Sequence, residues 1–172
     1  MNTNTIGYSG KVSITKQDTT LYSSHNAGTN SLFNLLCSLL AVSQSNHDCY
    51  PAYISIISGN VASNTTQSPD NYKNFVNNMI LVSEIIITNK VITTSKNDTT
   101  STLKLSGLLT YDNIKSLQPS INAYSILLLD STKTRILAYA DISSKDSENL
   151  AAIKHSKLNQ ASVNWELTFA NT

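Results

Sequence analysis

The chain has 172 residues, a hydrophobic fraction of 40% and a formal net charge of +1, from 12 basic and 11 acidic residues. Only 13% of residues are charged, against about 25% in an average globular protein, and Arg135 is the single arginine. That balance excludes a basic stripe for nucleic-acid binding and a charged tail. The length suits one domain with a sizeable core.

Ser, Thr and Asn carry the polar surface in place of charge. Two readings fit. Such a surface suits a protein that stays bound to neighbours, because long Lys and Glu side chains lose more entropy when an interface immobilises them. An AT-rich genome, which favours Asn, Lys, Ile and Ser codons, gives the same composition. Two cysteines, Cys37 and Cys49, are too few for a disulfide framework and read as free thiols in a reducing cytoplasm. The segment Met1–Gly7 has neither the positive start nor the apolar core of a signal peptide. No apolar stretch approaches the roughly 20 residues that span a bilayer. Asn64-Thr65-Thr66 and Asn97-Asp98-Thr99 match the glycosylation pattern, as expected by chance in a chain this rich in Asn and Thr.

In chain order, Met1–Ser9 reads as a polar arm, followed by a single domain over residues 10–172. Lys11–Lys16 alternates, with Val12 and Ile14 on one face, and predicts a first strand. Asp18-Thr19-Thr20 reads as a turn into a short strand at Leu21–Ser23, the two strands forming a hairpin. Gly28 permits a turn, and Thr29 or Asn30 is a suitable N-cap. Leu32, Phe33, Leu35, Leu36, Leu39, Leu40 and Val42 then form a broad apolar stripe at helical spacing, predicting a helix at about 30–42 packed on a sheet. Pro51 opens a strand at Ala52–Ile57 with apolar groups on both faces, so both faces should be covered. Gly59–Tyr72 is a long polar loop, a length that is functional or mobile in most domains.

Met79–Thr88 is β-branched and predicts a strand, with Lys90–Thr94 following across a tight turn at Asn89 and another turn at Asn97-Asp98. Thr102–Thr110 alternates until Gly107, which suggests a bulge. Tyr111–Ser120 is a connector with room for a helical turn at Asp112–Leu117. Ala123–Leu129 reads as a buried strand, and Asp130–Lys133 as a hairpin turn. Thr134–Ile142 returns with Ile136, Ala138, Ala140 and Ile142 on one face and Leu137 and Tyr139 on the other. Ser143–Gln160 is a polar excursion with a short helix around Glu148–Lys154. The closing strand, Ala161–Asn171, sets Val163, Trp165, Leu167 and Phe169 on one face, with the only Trp of the chain at its middle. About eight strands with many turns and one helix predict a mainly β protein, an antiparallel two-sheet β-sandwich of jelly-roll type.

Reactive chemistry finds little support. His47-Asp48-Cys49 holds three metal-binding residue types in a row, but adjacent residues rarely chelate one ion, and His25 and Cys37 supply no second pair. Cys37 lies on the apolar stripe, where a free Cys is core and not a nucleophile. No Gly-x-Ser-x-Gly elbow or phosphate-cradling loop is present, and the carboxylates are scattered singly. No catalytic, cofactor-binding or metal-binding residue is assigned. Tyr53, Tyr124 and Tyr139 read as core residues with wet hydroxyls, the other reading being an exposed row that binds sugar or protein.

Three stretches carry a resemblance: His25-Asn26-Ala27-Gly28-Thr29 before the Leu-rich stripe; Ala123–Asp130 with its turn into Arg135–Asp141; and the closing Val163–Phe169. Together they resemble small β-rich virion proteins of tailed bacteriophages. The resemblance implies a non-enzymatic structural protein of the virion, made in the host cytoplasm without a cofactor. Its partners would be the major capsid, neck or tail proteins and further copies of itself, with no nucleic acid or membrane bound. An auxiliary or decoration protein of the capsid is the leading expectation, because the chain ends at Thr172 with no long fibre stem. A neck, tail or baseplate component, or a carbohydrate- or receptor-binding module, is the alternative. Met1–Ser9 and Gly59–Tyr72 are the segments expected to reach neighbours.

Overall fold

The computed structural model describes residues 6–16, 19–29, 32, 50–59, 72, 81–95, 100–110, 124–142 and 161–171. Nine strands run through them: β1 (Ile6–Lys16), β2 (Thr19–His25), β3 (Ala27–Gly28), β4 (Pro51–Ser58), β5 (Leu81–Thr94), β6 (Thr100–Leu109), β7 (Tyr124–Asp130), β8 (Ile136–Ile142) and β9 (Ala161–Asn171). They form one antiparallel sheet in the order β2-β1-β9-β6-β5-β4-β7-β8-β3. The expected two-layer sandwich is therefore replaced by a single curled sheet. Its two ends, β2 and β3, are consecutive pieces of chain separated only by Asn26, so the sheet is a nearly closed barrel. With β2 and β3 taken as one interrupted strand, eight positions go round it, a size whose interior side chains can fill.

The closing strand lies at the centre of one wall. β9 pairs with β1 along one edge, from Ile6↔Asn171 to Thr15↔Ser162, and with β6 along the other, from Thr100↔Ala170 to Leu109↔Ala161. Its alternation has the expected cause: Val163, Trp165 and Leu167 are buried in the barrel interior with Phe169 packed beside them, while Asn164, Glu166 and Thr168 face outward. There Asn164 Nδ2 donates to Thr15 Oγ1 at 3.0 Å, and Thr168 and Thr102 hydroxyls pair at 2.9 Å. β1 starts at Ile6, so Ile6–Ser9 of the expected arm is strand, and Met1–Thr5 lies outside the described residues.

Closure depends on where the chain changes edges. β2 pairs with β1 from Lys16↔Thr19 to Lys11↔His25. Asn26 N then donates to Gly10 O at 3.0 Å, still on the β1 side. The next two residues pair with β8, Ala27↔Tyr139 and Gly28↔Ala138, and Thr29 N donates to Leu137 O at 2.9 Å. At this step the Asn26 side chain turns inward. A Cβ at Gly10 would lie 1.8 Å from the Asn26 amide, so only glycine leaves it room. Trp165 Nε1 and Lys11 N can only donate, which fixes the amide orientation. Its oxygen accepts from Trp165 Nε1 at 2.6 Å and Lys11 N at 3.1 Å, and its nitrogen donates to Tyr8 Oη at 2.5 Å. The fully buried Trp165 thus has a partner for its indole N–H, which burial requires.

A second apolar cluster lies on the outer face of β4, β7 and β8. Ile57, Leu127, Leu129 and Ile136 are buried there under Tyr72, with Tyr53 and Tyr139 at the margin. That explains why β4 and β7 are apolar on both faces. One sequence expectation reverses: Ile136 joins this outer cluster, and Leu137 joins the interior core with Ala138, Ala140 and Ile142. A register shift between Leu128 and Leu129 inserts Leu137 as an extra residue, and one such step moves following side chains to the opposite face. Of the helix expected at 30–42, only Leu32 is among the described residues. It is buried in the interior core, its N–H bonded to Thr29 O at 3.1 Å. The helical turns expected at 112–117 and 148–154 lie outside them.

Removing the Asn26 amide leaves the buried Trp165 indole N–H without its acceptor, at about 1–3 kcal/mol, and takes one acceptor from Lys11 N. Asn26→Ala is expected to lower unfolding free energy by about 3 kcal/mol, measured by urea titration of the fluorescence of the single tryptophan. Burial also pushes the Tyr8 phenol up to about 12, from about 10 in an unfolded chain. Between those values the native state holds the extra proton, so stability falls as pH rises through that window. Tyr8→Phe is expected to remove that part of the alkaline slope, seen as a difference from wild type in urea midpoints across it.

Candidate interaction surface

The strand β5 extends past the end of its β4 ladder. β4 pairs with β5 only from Ile57↔Leu81 to Tyr53↔Ile86. β6 takes over from Ile87↔Gly107 to Thr94↔Ser101. The handover is a register shift between Ile87 and Asn89 that leaves Thr88 as the extra residue. The sequence reading of a turn at Asn89 between two strands is therefore corrected: Leu81–Thr94 is one bent strand. Gly107 serves the bend and not a bulge in β6. A Cβ there would lie 2.6 Å from Ile85 Cγ2 and 2.7 Å from the Ile86 carbonyl oxygen, so the close approach of the bent strand demands glycine.

Up to Ile87 β5 alternates as a barrel strand should, with Ser83, Ile85 and Ile87 buried. From Thr88 to Thr94 every residue is exposed, on both faces. Ile92 is 74% exposed and Val91 42%. Nearer the barrel, Ile86 and Leu108 add an exposed apolar pair on the outer face. The β5–β6 hairpin is held square at its tip, where Ser95 N donates to Thr100 O at 2.9 Å and Thr100 N to Ser95 Oγ at 3.1 Å. Behind it β9 keeps β6 in place, with Lys104 and Glu166 paired at 3.4 Å across the exposed face. The one charge on the projecting part of β5, Lys90, folds back over the exposed Tyr50 ring, with Nζ 4.2 Å from its centroid. Partial burial there lowers its pKa.

The other polar constellation sits on the outer cluster. Lys133 adopts a left-handed backbone (φ 54°) after the Asp130–Lys133 turn, in which Lys133 N donates to Asp130 O at 3.1 Å. Asp130 is fully buried, and its carboxylate accepts from Thr134 N at 2.9 Å, Thr132 Oγ1 at 2.7 Å and Arg135 N at 3.2 Å. The turn delivers Lys133 Nζ to Glu84 Oε1 at 2.6 Å, 4.3 Å from the Tyr53 ring centroid. Beneath it the Tyr72 and Ser55 hydroxyls are 3.1 Å apart. The hydrogen bond to Glu84 raises the Lys133 pKa, and burial raises that of Tyr72. Both groups are held protonated, so neither supplies the base that would activate Ser55. This constellation pins Tyr72 over the outer cluster.

The residues weighed for chemistry fall apart in space. Tyr124 is buried in the interior, and Tyr53 and Tyr139 flank the outer cluster. His25 is exposed at the end of β2. Cys37, His47, Asp48, Cys49, Asn64 and Asn97 lie outside the described residues, as does the segment 60–71 of the loop expected to reach neighbours. Among the described residues no three His, Cys, Asp or Glu side chains cluster as a metal site, and no helix is long and apolar enough to cross a membrane. The strand–turn–strand over Lys90–Thr94, Asn97-Asp98 and Thr102–Thr110 was legible in sequence, but its continuity with the preceding strand was not, because Thr88-Asn89 looks like a turn. The signal for the exposed part of β5 was the run Thr88–Thr94, which loses the alternation of the strand before it. No protein family, curated protein or solved structure matches the chain.

Gly107→Ala is expected to push β5 away from β6 and to cost about 1–3 kcal/mol, the range for forcing extra volume into a packed position. The change should appear as faster amide exchange in Thr88–Thr94 than in the wild type, with exchange in β9 altered less.

Proposed function

We propose that the chain is a non-enzymatic structural protein that binds other proteins within a symmetric assembly. The sequence resemblance makes that assembly a tailed-phage particle, with an auxiliary protein of the capsid as the leading role and a neck, tail or baseplate component as the alternative. The observation that carries the reading is the β5–β6 hairpin. It exposes Val91 and Ile92 on opposite faces beyond the end of the β4 ladder, on a wall stiffened by β9. A preformed, low-charge strand pair is the kind of surface that associates without a large ordering cost. The outer face beside it sets Ser13, Thr15, Asn164, Thr168 and Thr102 around one charged row, Lys11, Glu166 and Lys104.

The test is the mass of the purified protein, alone and after mixing with particles that lack it. Saturable binding in a fixed ratio to the major shell protein is the expected result. A closed ring of the protein alone would shift the role to the neck or tail. A monomer that binds no particle component but captures glycans would overturn the reading in favour of carbohydrate recognition.

A further inference from the structure

The edge of the hairpin points to a specific occupant. Past Ile86, β5 has no ladder partner on its β4 side among the described residues. Thr88–Thr94 therefore presents a seven-residue strand edge, exposed on both faces, of which Asn89–Thr94 is fixed in extended form by β6 on its other side while Thr88 is the extra residue at the bend. Protein edges are commonly blunted by proline, by several charges or by a short length. This one, Thr88-Asn89-Lys90-Val91-Ile92-Thr93-Thr94, has no proline and a single charge. That charge is drawn aside over Tyr50.

We propose that this edge pairs antiparallel with the same edge of a second copy of the chain, about a two-fold axis at Val91. The proposal deepens the assembly reading above and rests on it for its biological setting. Centred on Val91, this register brings Asn89–Thr93 of both copies into pairing. It sets Val91 against Val91, Lys90 against Ile92 and Asn89 against Thr93. Val91 thus meets a second β-branched side chain, and the Asn89 amide meets the Thr93 hydroxyl. The two lysines stand apart, each with its aliphatic stem on an isoleucine of the other copy. Shifting the axis to Lys90 would place the two charges directly opposite, which is destabilising. The isologous contact closes on itself and joins the two β9-β6-β5 walls into one sheet.

The register makes charge substitutions at position 92 act in opposite directions. Ile92 is 74% exposed, so neither substitution disturbs the core, and fluorescence of Trp165 verifies folding. Ile92→Lys places a second lysine against Lys90 twice over and is expected to weaken dimerisation about tenfold. Ile92→Glu places a carboxylate there and is expected to keep or tighten the dimer. Sedimentation equilibrium over a concentration series reads both. Oxidation of Val91→Cys is expected to cross-link the dimer across the axis, whereas Thr93→Cys, which would face Asn89, stays at the background set by Cys37 and Cys49 in wild type. A wild-type protein that remains monomeric throughout, or a dimer that both Ile92 variants leave unchanged, overturns the pairing. If all variants nevertheless join particles as wild type does, the assembly reading stands without it. If the dimer behaves as expected but no form binds particles, the pairing stands and the assembly reading falls.

Discussion

The hydrogen bond between the Asn26 amide and Trp165 Nε1, 2.6 Å long, ties the seam of the barrel to its core. A curled sheet has two edges, and an open edge beside an apolar interior exposes both unpaired backbone and core side chains. Here one stretch of chain serves both edges. It follows β1 as far as His25, steps across at Asn26, and continues along β8. The step costs a residue of ladder pairing, and the Asn26 side chain offsets that by entering the interior and satisfying the indole of the largest core residue. Gly10 is the counterpart of this arrangement, since any Cβ there would occupy the space of the amide.

A second constraint sets the shape of the surface. β5 has to serve β4 in the barrel and β6 beyond it. The extra residue Thr88 turns the strand between these two duties, and Gly107 allows the turn to pass close by. The part of β5 that results overhangs the β4 ladder, while β6 beside it stays in the barrel wall with Leu105 in the core. Rigidity and exposure thus come from one device: β9, buried on its inner face, holds β6, and β6 holds the free part of β5.

Much of the sheet was legible in the sequence where burial is one-sided. The alternation of Val163, Trp165, Leu167 and Phe169 gave β9 correctly, because one face lies inside and the other in solvent. The doubly apolar strands at Tyr53–Ile57 and Tyr124–Leu129 were legible as covered on both faces, and the Asp130 turn was legible from its residue types. The barrel was not. Its closure depends on Asn26 meeting Gly10, Trp165 and β8, contacts distant in sequence that leave no local period. Eight antiparallel strands read equally well as two layers. Bulges defeated the reading elsewhere: Thr88 made one strand look like two, and Leu137 exchanged the faces of itself and Ile136. The hairpin surface was hidden for the same reason, since Val91 and Ile92 look like core residues until β4 is seen to stop at Ile86.

One architectural feature underlies the rest: the seam is as firmly part of the barrel as β9, while Thr88–Thr94 of β5 overhangs it. Native-state amide exchange on dilute protein addresses both halves at once, because it reports the opening free energy of each segment. The account predicts that the amides of Asn26 and Thr29 exchange together with those of Trp165 and Leu167, in the slowest class, and that Thr88–Thr94 exchanges well before them. Seam amides that open early while β9 remains protected would contradict it, because the sheet would then be an open one whose ends merely lie side by side.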